Sequence, residues 1–144
     1  MNNPYDDARE FADLFSRCEH ALKRAGFLRA NRPDAQADWN SFARRLGPEF
    51  FERIKASGSA ATLIGEPPRK LLKEGLEWAP ANPKPLESVI ELFEQGVCRV
   101  RNNYIHGEKF VSESGQFDRD ATLVREALAV LRQAEASVGS EGDD

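Results

Sequence analysis

Pro85-Leu86-Glu87-Ser88-Val89-Ile90-Glu91-Leu92-Phe93-Glu94-Gln95-Gly96-Val97-Cys98-Arg99-Val100-Arg101-Asn102-Asn103-Tyr104-Ile105-His106-Gly107 is the stretch on which the fold turns. Proline suits the first turn of a helix, where its missing N–H costs nothing. Val89, Ile90, Leu92, Phe93, Val97, Val100 and Tyr104 then return at three- and four-residue intervals and predict one buried face. Gly107 can turn the chain left-handed after His106, because glycine adopts that conformation without steric cost. A helix with a single apolar face has to bury it against other helices, so matching stripes are expected elsewhere in the chain.

Three further elements answer it, the second of them a broken pair of helices. Asn3 and Pro4 read as an N-cap and first helical position, followed by Phe11, Leu14, Phe15, Cys18, Leu22 and Ala25 up to Gly26. Asp34 is placed to cap a second helix carrying Trp39, Phe42, Ala43 and Leu46, which Gly47-Pro48 ends before a further helix runs through Phe50, Phe51 and Ile54. A last helix is expected to begin near Asp118 to Asp120, with Leu123, Val124, Ala127, Leu128, Val130 and Leu131 as its core stripe. Between Ser57 and Pro85, recurrent glycine and proline forbid a long helix. Lys70-Leu71-Leu72 and Leu76-Glu77-Trp78 flank Glu74-Gly75 there and make either a small hairpin or a loop lying over the helices. The expected fold is all-α, an up-and-down bundle of four main helices. It forms one domain over residues 1–138, with a loop-rich insertion at 57–85 and a flexible acidic tail at 139–144.

Composition narrows the function. With 144 residues the chain can bury a real core as one domain, and 40% hydrophobic against 31% charged residues is the balance of a globular protein. No apolar run has the length of a bilayer span and the first residues lack a signal-peptide pattern, so a cytoplasmic protein with no membrane partner is expected. Cys18 and Cys98 sit in helical stripes, not in ligand clusters, and read as small buried thiols; neither a metal site nor a cofactor is expected. A formal charge of −4 argues against a protein that coats nucleic acid with a broad basic surface. Local positive charge does gather at Arg17, Lys23, Arg24, Arg29 and Arg32, and again at Arg99, Arg101 and Lys109.

The end of the opening stretch carries chemistry. Asn102 and His106, four apart, share a helix face, and the long stem of Arg101 can swing its guanidinium toward them. RNA brings its own nucleophile, the 2′-hydroxyl, so cleavage needs only proton transfer and stabilisation of the charge on the phosphorane. His106 is suited to the first task and Arg101 to the second, with Asn102 orienting phosphate or imidazole. One histidine serves poorly as both base and acid, and a two-fold dimer with facing motifs would supply two. The plainer alternative gives His106 a helix-capping role and Arg101 an ion pair with a nearby carboxylate. Tyr104 reads as core or as a base-stacking platform, and His20 as a simple helix residue unless it or Glu19 lines the same groove.

These residues resemble the RxxxxH motif of the HEPN superfamily, in the Arg-Asn-Asn-x-x-His-Gly form. The resemblance implies a metal-independent endoribonuclease, often homodimeric with a composite site, in toxin-antitoxin, phage-defence or RNA-processing settings. It marks Arg101, Asn102 and His106 as catalytic, and Asn103, Tyr104, Lys109, Glu19 and His20 are the candidate substrate contacts. It also implies RNA as partner, with an antitoxin or nucleotidyltransferase as a further expected partner. Many members are instead non-catalytic modules that bind RNA, nucleotides or protein. In one branch a tyrosine two residues beyond the histidine receives a nucleotide from the antitoxin; here that position is Glu108.

Overall fold

The apolar stripes become helices around a shared core in the structure, a computed structural model that describes residues 4–73, 77–105 and 114–142. Helix α1 spans Pro4–Arg24 and buries Ala8, Phe11, Leu14, Phe15 and Leu22. Its first turn holds Asp6 and Asp7 and its last Lys23 and Arg24, the arrangement a helix dipole favours. Helices α2 (Trp39–Leu46) and α3 (Pro48–Ser57) break at Gly47, whose φ of 82° is open to glycine, and Pro48 starts α3 as expected. Then come a short α4 (Ala61–Gly65) and two strands, β1 (Lys70–Leu71) and β2 (Trp78–Ala79). A helical stretch follows, made of α5 (Val89–Glu91), a π-helical turn (Leu92–Val97) and α6 (Cys98–Ile105). The last helix, α7 (Ser114–Gly142), lies along α1 and contributes Leu123, Val124, Ala127, Leu128, Val130, Leu131 and Ala134 to the core. The described residues are thus mostly helical, and no helix among them is long and apolar enough to cross a membrane.

Aromatic rings fill the centre. Trp39 stacks on Phe15 at 5.0 Å and on Phe93 at 5.7 Å between centroids, and Phe42 meets both Trp39 and Phe93 edge-on. Phe93 also stacks on Phe50 at 6.0 Å. One cluster therefore joins α1, α2, α3 and the π turn. Such pairs contribute about 0.5–1.5 kcal/mol each beyond area burial.

Several boundaries differ from the sequence reading, each for a local reason. The cap of α2 is Asp38 and not Asp34: its carboxylate accepts from the Ser41 N–H at 3.1 Å and from the Ser41 hydroxyl at 2.6 Å. Asp34 instead lies in a loop. Pro85 precedes its helix without starting it, because Leu86 N–H is bound to the Ile64 carbonyl at 2.8 Å. Ser88 is the true cap, accepting from Glu91 N–H while the Glu91 carboxylate accepts from Glu87 N–H, a variant of the capping box. Helix α7 begins at Ser114, earlier than the stripe required, and continues to Gly142 within the segment read as a tail.

The 57–85 insertion is tied down. Leu63 and Ile64 of α4 are buried, and Leu63 N–H donates to the Glu126 carboxylate on α7 at 2.8 Å. β1 and β2 pair antiparallel, Lys70 with Ala79 and Leu71 with Trp78, and Leu72 N–H adds a bond to the Glu77 carbonyl; the Glu74-Gly75 turn lies outside the described residues. Gly96 matters for this seating. A Cβ there would lie 3.3 Å from Leu86 Cδ1 and 3.5 Å from Leu63 Cγ, so its bare backbone lets both leucines pack against the π turn.

The two hydrogen bonds from Ser41 hold the Asp38 carboxyl below its ordinary pKa, with Arg29 and Arg44 nearby assisting. A lowered folded value means stability present above the unfolded pKa and lost as pH falls through the folded one. Asp38→Ala is expected to cost about 1 kcal/mol at neutral pH. That deficit should shrink below about pH 4, and Asp38→Asn should retain most of the cap. Urea unfolding of the three proteins across pH checks this, and a deficit independent of pH would contradict it.

Candidate functional site

Arg101 and Asn102 look into a cleft of about 760 Å³ bounded by α1, the loop before α2, α2 itself and the motif helix. From α1 come Phe15, Glu19 and Lys23; from the π turn and α6 come Glu94, Cys98, Arg101 and Asn102, and α2 supplies Trp39, Asn40 and Arg44. The fourth wall is an arm built by residues 27–38. Asp38 N–H donates to the Phe27 carbonyl at 3.0 Å, Arg29 N–H donates to the Gln36 carbonyl at 2.9 Å, and Leu28 bridges Ala37 between them. This short hairpin turns at Asn31, whose φ of 61° is one that asparagine tolerates. It carries Arg29 and Arg32 into the lining.

Within the cleft the motif residues are held in a definite way. The Arg101 guanidinium lies 5.2 Å from the centroid of the Phe15 ring and donates to the Asn102 side-chain oxygen at 3.3 Å. Stacking on an aromatic face leaves the in-plane N–H groups of an arginine free to bind oxygens. Asn102 is exposed. These two residues come together as their spacing suggested, and Val100 faces the core as expected.

The other candidates divide. Glu19 lines the cleft, where it accepts from the Trp39 indole N–H at 3.2 Å. His20, the next residue on α1, is exposed and is not part of the lining. Asn103 is only 8% exposed, and its amide donates to the Arg69 carbonyl at 2.9 Å, so it anchors the insertion and is not a cleft residue. His106 and Lys109, and the side chain of Tyr104, lie outside the described residues.

Charge in the cleft is uneven. Its three carboxylates are all engaged locally: Glu19 by Trp39, Asp38 by Ser41, and Glu94 by the Asn40 amide at 3.4 Å. Among the described residues, Lys23, Arg29, Arg32 and Arg44 make no ion pair. The cleft therefore offers cations to an anionic ligand. Cys98 borders it but is no nucleophile, since burial, with Glu19 and Glu94 beside it, pushes the thiol up to about 12. Burial likewise lifts Cys18 to about 11. No group of three or more His, Cys, Asp or Glu residues that could hold a metal occurs among the described residues.

Sequence reasoning grouped Arg29 and Arg32 as local positive charge without placing them, and it missed Arg44. The missed signal was turn chemistry: Asn31-Arg32-Pro33-Asp34 between Phe27-Leu28-Arg29 and Ala35-Gln36-Ala37 carries the residues of a tight reversal. No model of a known family, no curated protein and no solved structure matches the chain.

Removing the Asn103 amide strands the Arg69 carbonyl and unfastens the insertion from α6. Asn103→Ala should cost about 1–2 kcal/mol in unfolding and should speed hydrogen exchange at Leu72 N–H, which bonds across the β1–β2 pair. Unchanged stability together with unchanged exchange at Leu72 would show that the bond has no anchoring role.

Proposed function

We propose that the chain is a metal-independent endoribonuclease of the HEPN type, built on an up-and-down bundle of four main helices and acting as a homodimer. The observation that carries the reading is the joining of Arg101 and Asn102 in a cleft whose carboxylates are hydrogen-bonded to the protein and whose other cations make no ion pair among the described residues. His106 follows directly on Ile105, the last residue of α6, and completes the motif in sequence.

In this mechanism the scissile phosphate sits against Arg101. The imidazole of one His106 takes the 2′-hydroxyl proton as the 2′-oxygen attacks phosphorus, and the negative charge that builds on the non-bridging oxygens is met by the guanidinium. The bond from phosphorus to the 5′-oxygen then breaks. The leaving oxygen takes a proton from the second His106 of the dimer, giving a 2′,3′-cyclic phosphate and a 5′-hydroxyl. Asn102, exposed beside Arg101, orients the phosphate by hydrogen bonding. A role as toxin or defence component belongs to the same proposal, as does control by an antitoxin. Neutralisation by nucleotide transfer to a tyrosine does not, because Glu108 stands at that position.

The competing reading is a non-catalytic module that holds RNA or a nucleotide in the same cleft, and it is favoured by the fact that each of the three described carboxylates lining the cleft, Glu19, Asp38 and Glu94, already accepts a hydrogen bond from the protein. Wild-type and His106→Ala protein incubated with total cellular RNA in EDTA separate the two. Fragments with 2′,3′-cyclic phosphate and 5′-hydroxyl ends are expected from wild type, with a loss of about 10²-fold or more in the variant. Equal cleavage by His106→Ala would overturn the catalytic assignment. Absence of cleavage in both, with RNA binding lost in Arg101→Ala, would favour the module.

A further inference from the structure

We infer that the arm at residues 27–38, together with Arg44 on α2, is a strand-holding subsite. It grips phosphates that flank the scissile one and makes single-stranded RNA, rather than a duplex or a mononucleotide, the preferred ligand. The identity of the ligand as RNA rests on the proposed ribonuclease activity, whereas the subsite itself rests on the geometry of the cleft.

The first step is placement. The base of the hairpin is built into the fold through Phe27, Ala37 and Asp38, but Arg29 and Arg32 stand on its exposed part, and both line the cleft that holds Arg101. Arg44 reaches the same cleft from α2. The arm and the helix that follows it thus deliver three guanidinium groups to the recess that holds Arg101 from a distant part of the chain, and each such group can hold two oxygens of one phosphate. One phosphate at Arg101 leaves the other three guanidinium groups of the cleft for further phosphates of the same strand.

The second step is charge balance. In a surface of mixed charge, cations normally pair with neighbouring carboxylates, and here Glu19, Asp38 and Glu94 are close enough to line the same cleft. They are hydrogen-bonded to Trp39, Ser41 and Asn40, while among the described residues Arg29, Arg32 and Arg44 make no ion pair, Arg29 and Arg44 acting on Asp38 only through space. Because the chain as a whole carries −4, polyanion binding has to be confined to such a recess. Confinement also selects the form of the ligand. A recess of about 760 Å³ has the size of a small-molecule site and can admit an extended strand, whereas a duplex presents paired, stacked bases that would have to be opened first.

Binding of a fluorescein-labelled oligouridylate with every 2′-hydroxyl methylated reads the subsite without turnover. Anisotropy is followed against salt for wild type, Arg29→Ala/Arg32→Ala/Arg44→Ala and Arg32→Ala alone, with the folding of each checked by circular dichroism. Each lost phosphate contact lowers the salt slope of log affinity by about 0.7, so the triple variant should lose about 2 from the slope. The expected loss of affinity at low salt is roughly tenfold or more. Arg32→Ala, an exposed change on the arm, should lose about 0.7 and serves where the triple variant does not fold. A duplex of the same length and uridine monophosphate should both compete poorly. Unchanged affinity and slope in the folded variants would overturn the subsite, as would a mononucleotide that competes as well as the strand. The ribonuclease reading fails separately: if wild type yields no cyclic-phosphate ends while the arginine variants still lose binding, the subsite stands and the catalytic assignment falls.

Discussion

The stack of Phe15, Trp39 and Phe93 is the contact on which the rest of the site depends. Each ring comes from a different element: α1, the first turn of α2 and the π turn that leads to the motif helix. Fixing Trp39 between the other two sets the distance between α1 and the motif, and so the width of the cleft. The same rings have polar duties. Phe15 supports the Arg101 guanidinium, and the Trp39 indole N–H holds the Glu19 carboxylate. Core packing and cleft chemistry are therefore not separable here, since a side chain lost from the stack would release both a catalytic candidate and the carboxylate beside it.

That carboxylate illustrates how a chain of negative net charge can still present a positive recess. Coulomb attraction between a free Glu19 and a nearby guanidinium would compete directly with phosphate. A hydrogen bond to a neutral, largely buried indole satisfies the carboxylate without neutralising a cation. Asp38 is used up in the same way by the cap of α2, and Glu94 by Asn40. Their charges remain and reduce the field of the cleft, but their geometry is committed to the protein.

Much of the helical fold was legible because its stripes are long and regular. The apolar faces of α1, α2, α3, α7 and the motif helix all follow from residue spacing, and Gly47-Pro48 marks its own break. Caps were harder. Asp34 and Asp38 are chemically the same signal, and only the hairpin bonds between Phe27 and Asp38 decide that the helix waits for the second. The hairpin itself is fixed by two backbone hydrogen bonds that flank the Leu28–Ala37 bridge, too short a pairing to leave a periodic pattern in the sequence. Of the site, the pairing of Arg101 with Asn102 was readable, whereas the sequence left open whether Glu19 or His20 lines the same groove, and the structure places Glu19 there. Arg44 was not, because a basic residue on a short helix usually signifies no more than a solvated face.

Asn103 marks the limit of reasoning by adjacency. Next to Asn102 and within the motif, it looked like a substrate contact; its burial and its bond to Arg69 give it the opposite face. Helical geometry explains the division. Glu94, Cys98 and Arg101 stand four and three residues apart and line the cleft, while Gly96, Val100 and Asn103 repeat the same spacing about a third of a turn or more away. Gly96 seats Leu63 and Leu86, and Asn103 seats Arg69, so this second row holds the insertion. The motif helix is consequently fixed against rotation from two sides, by aromatic stacking toward α1 and α2 and by the insertion behind it. An insertion that reads in sequence as an elaborated connection is, by this geometry, the support that keeps Arg101 aimed into the cleft.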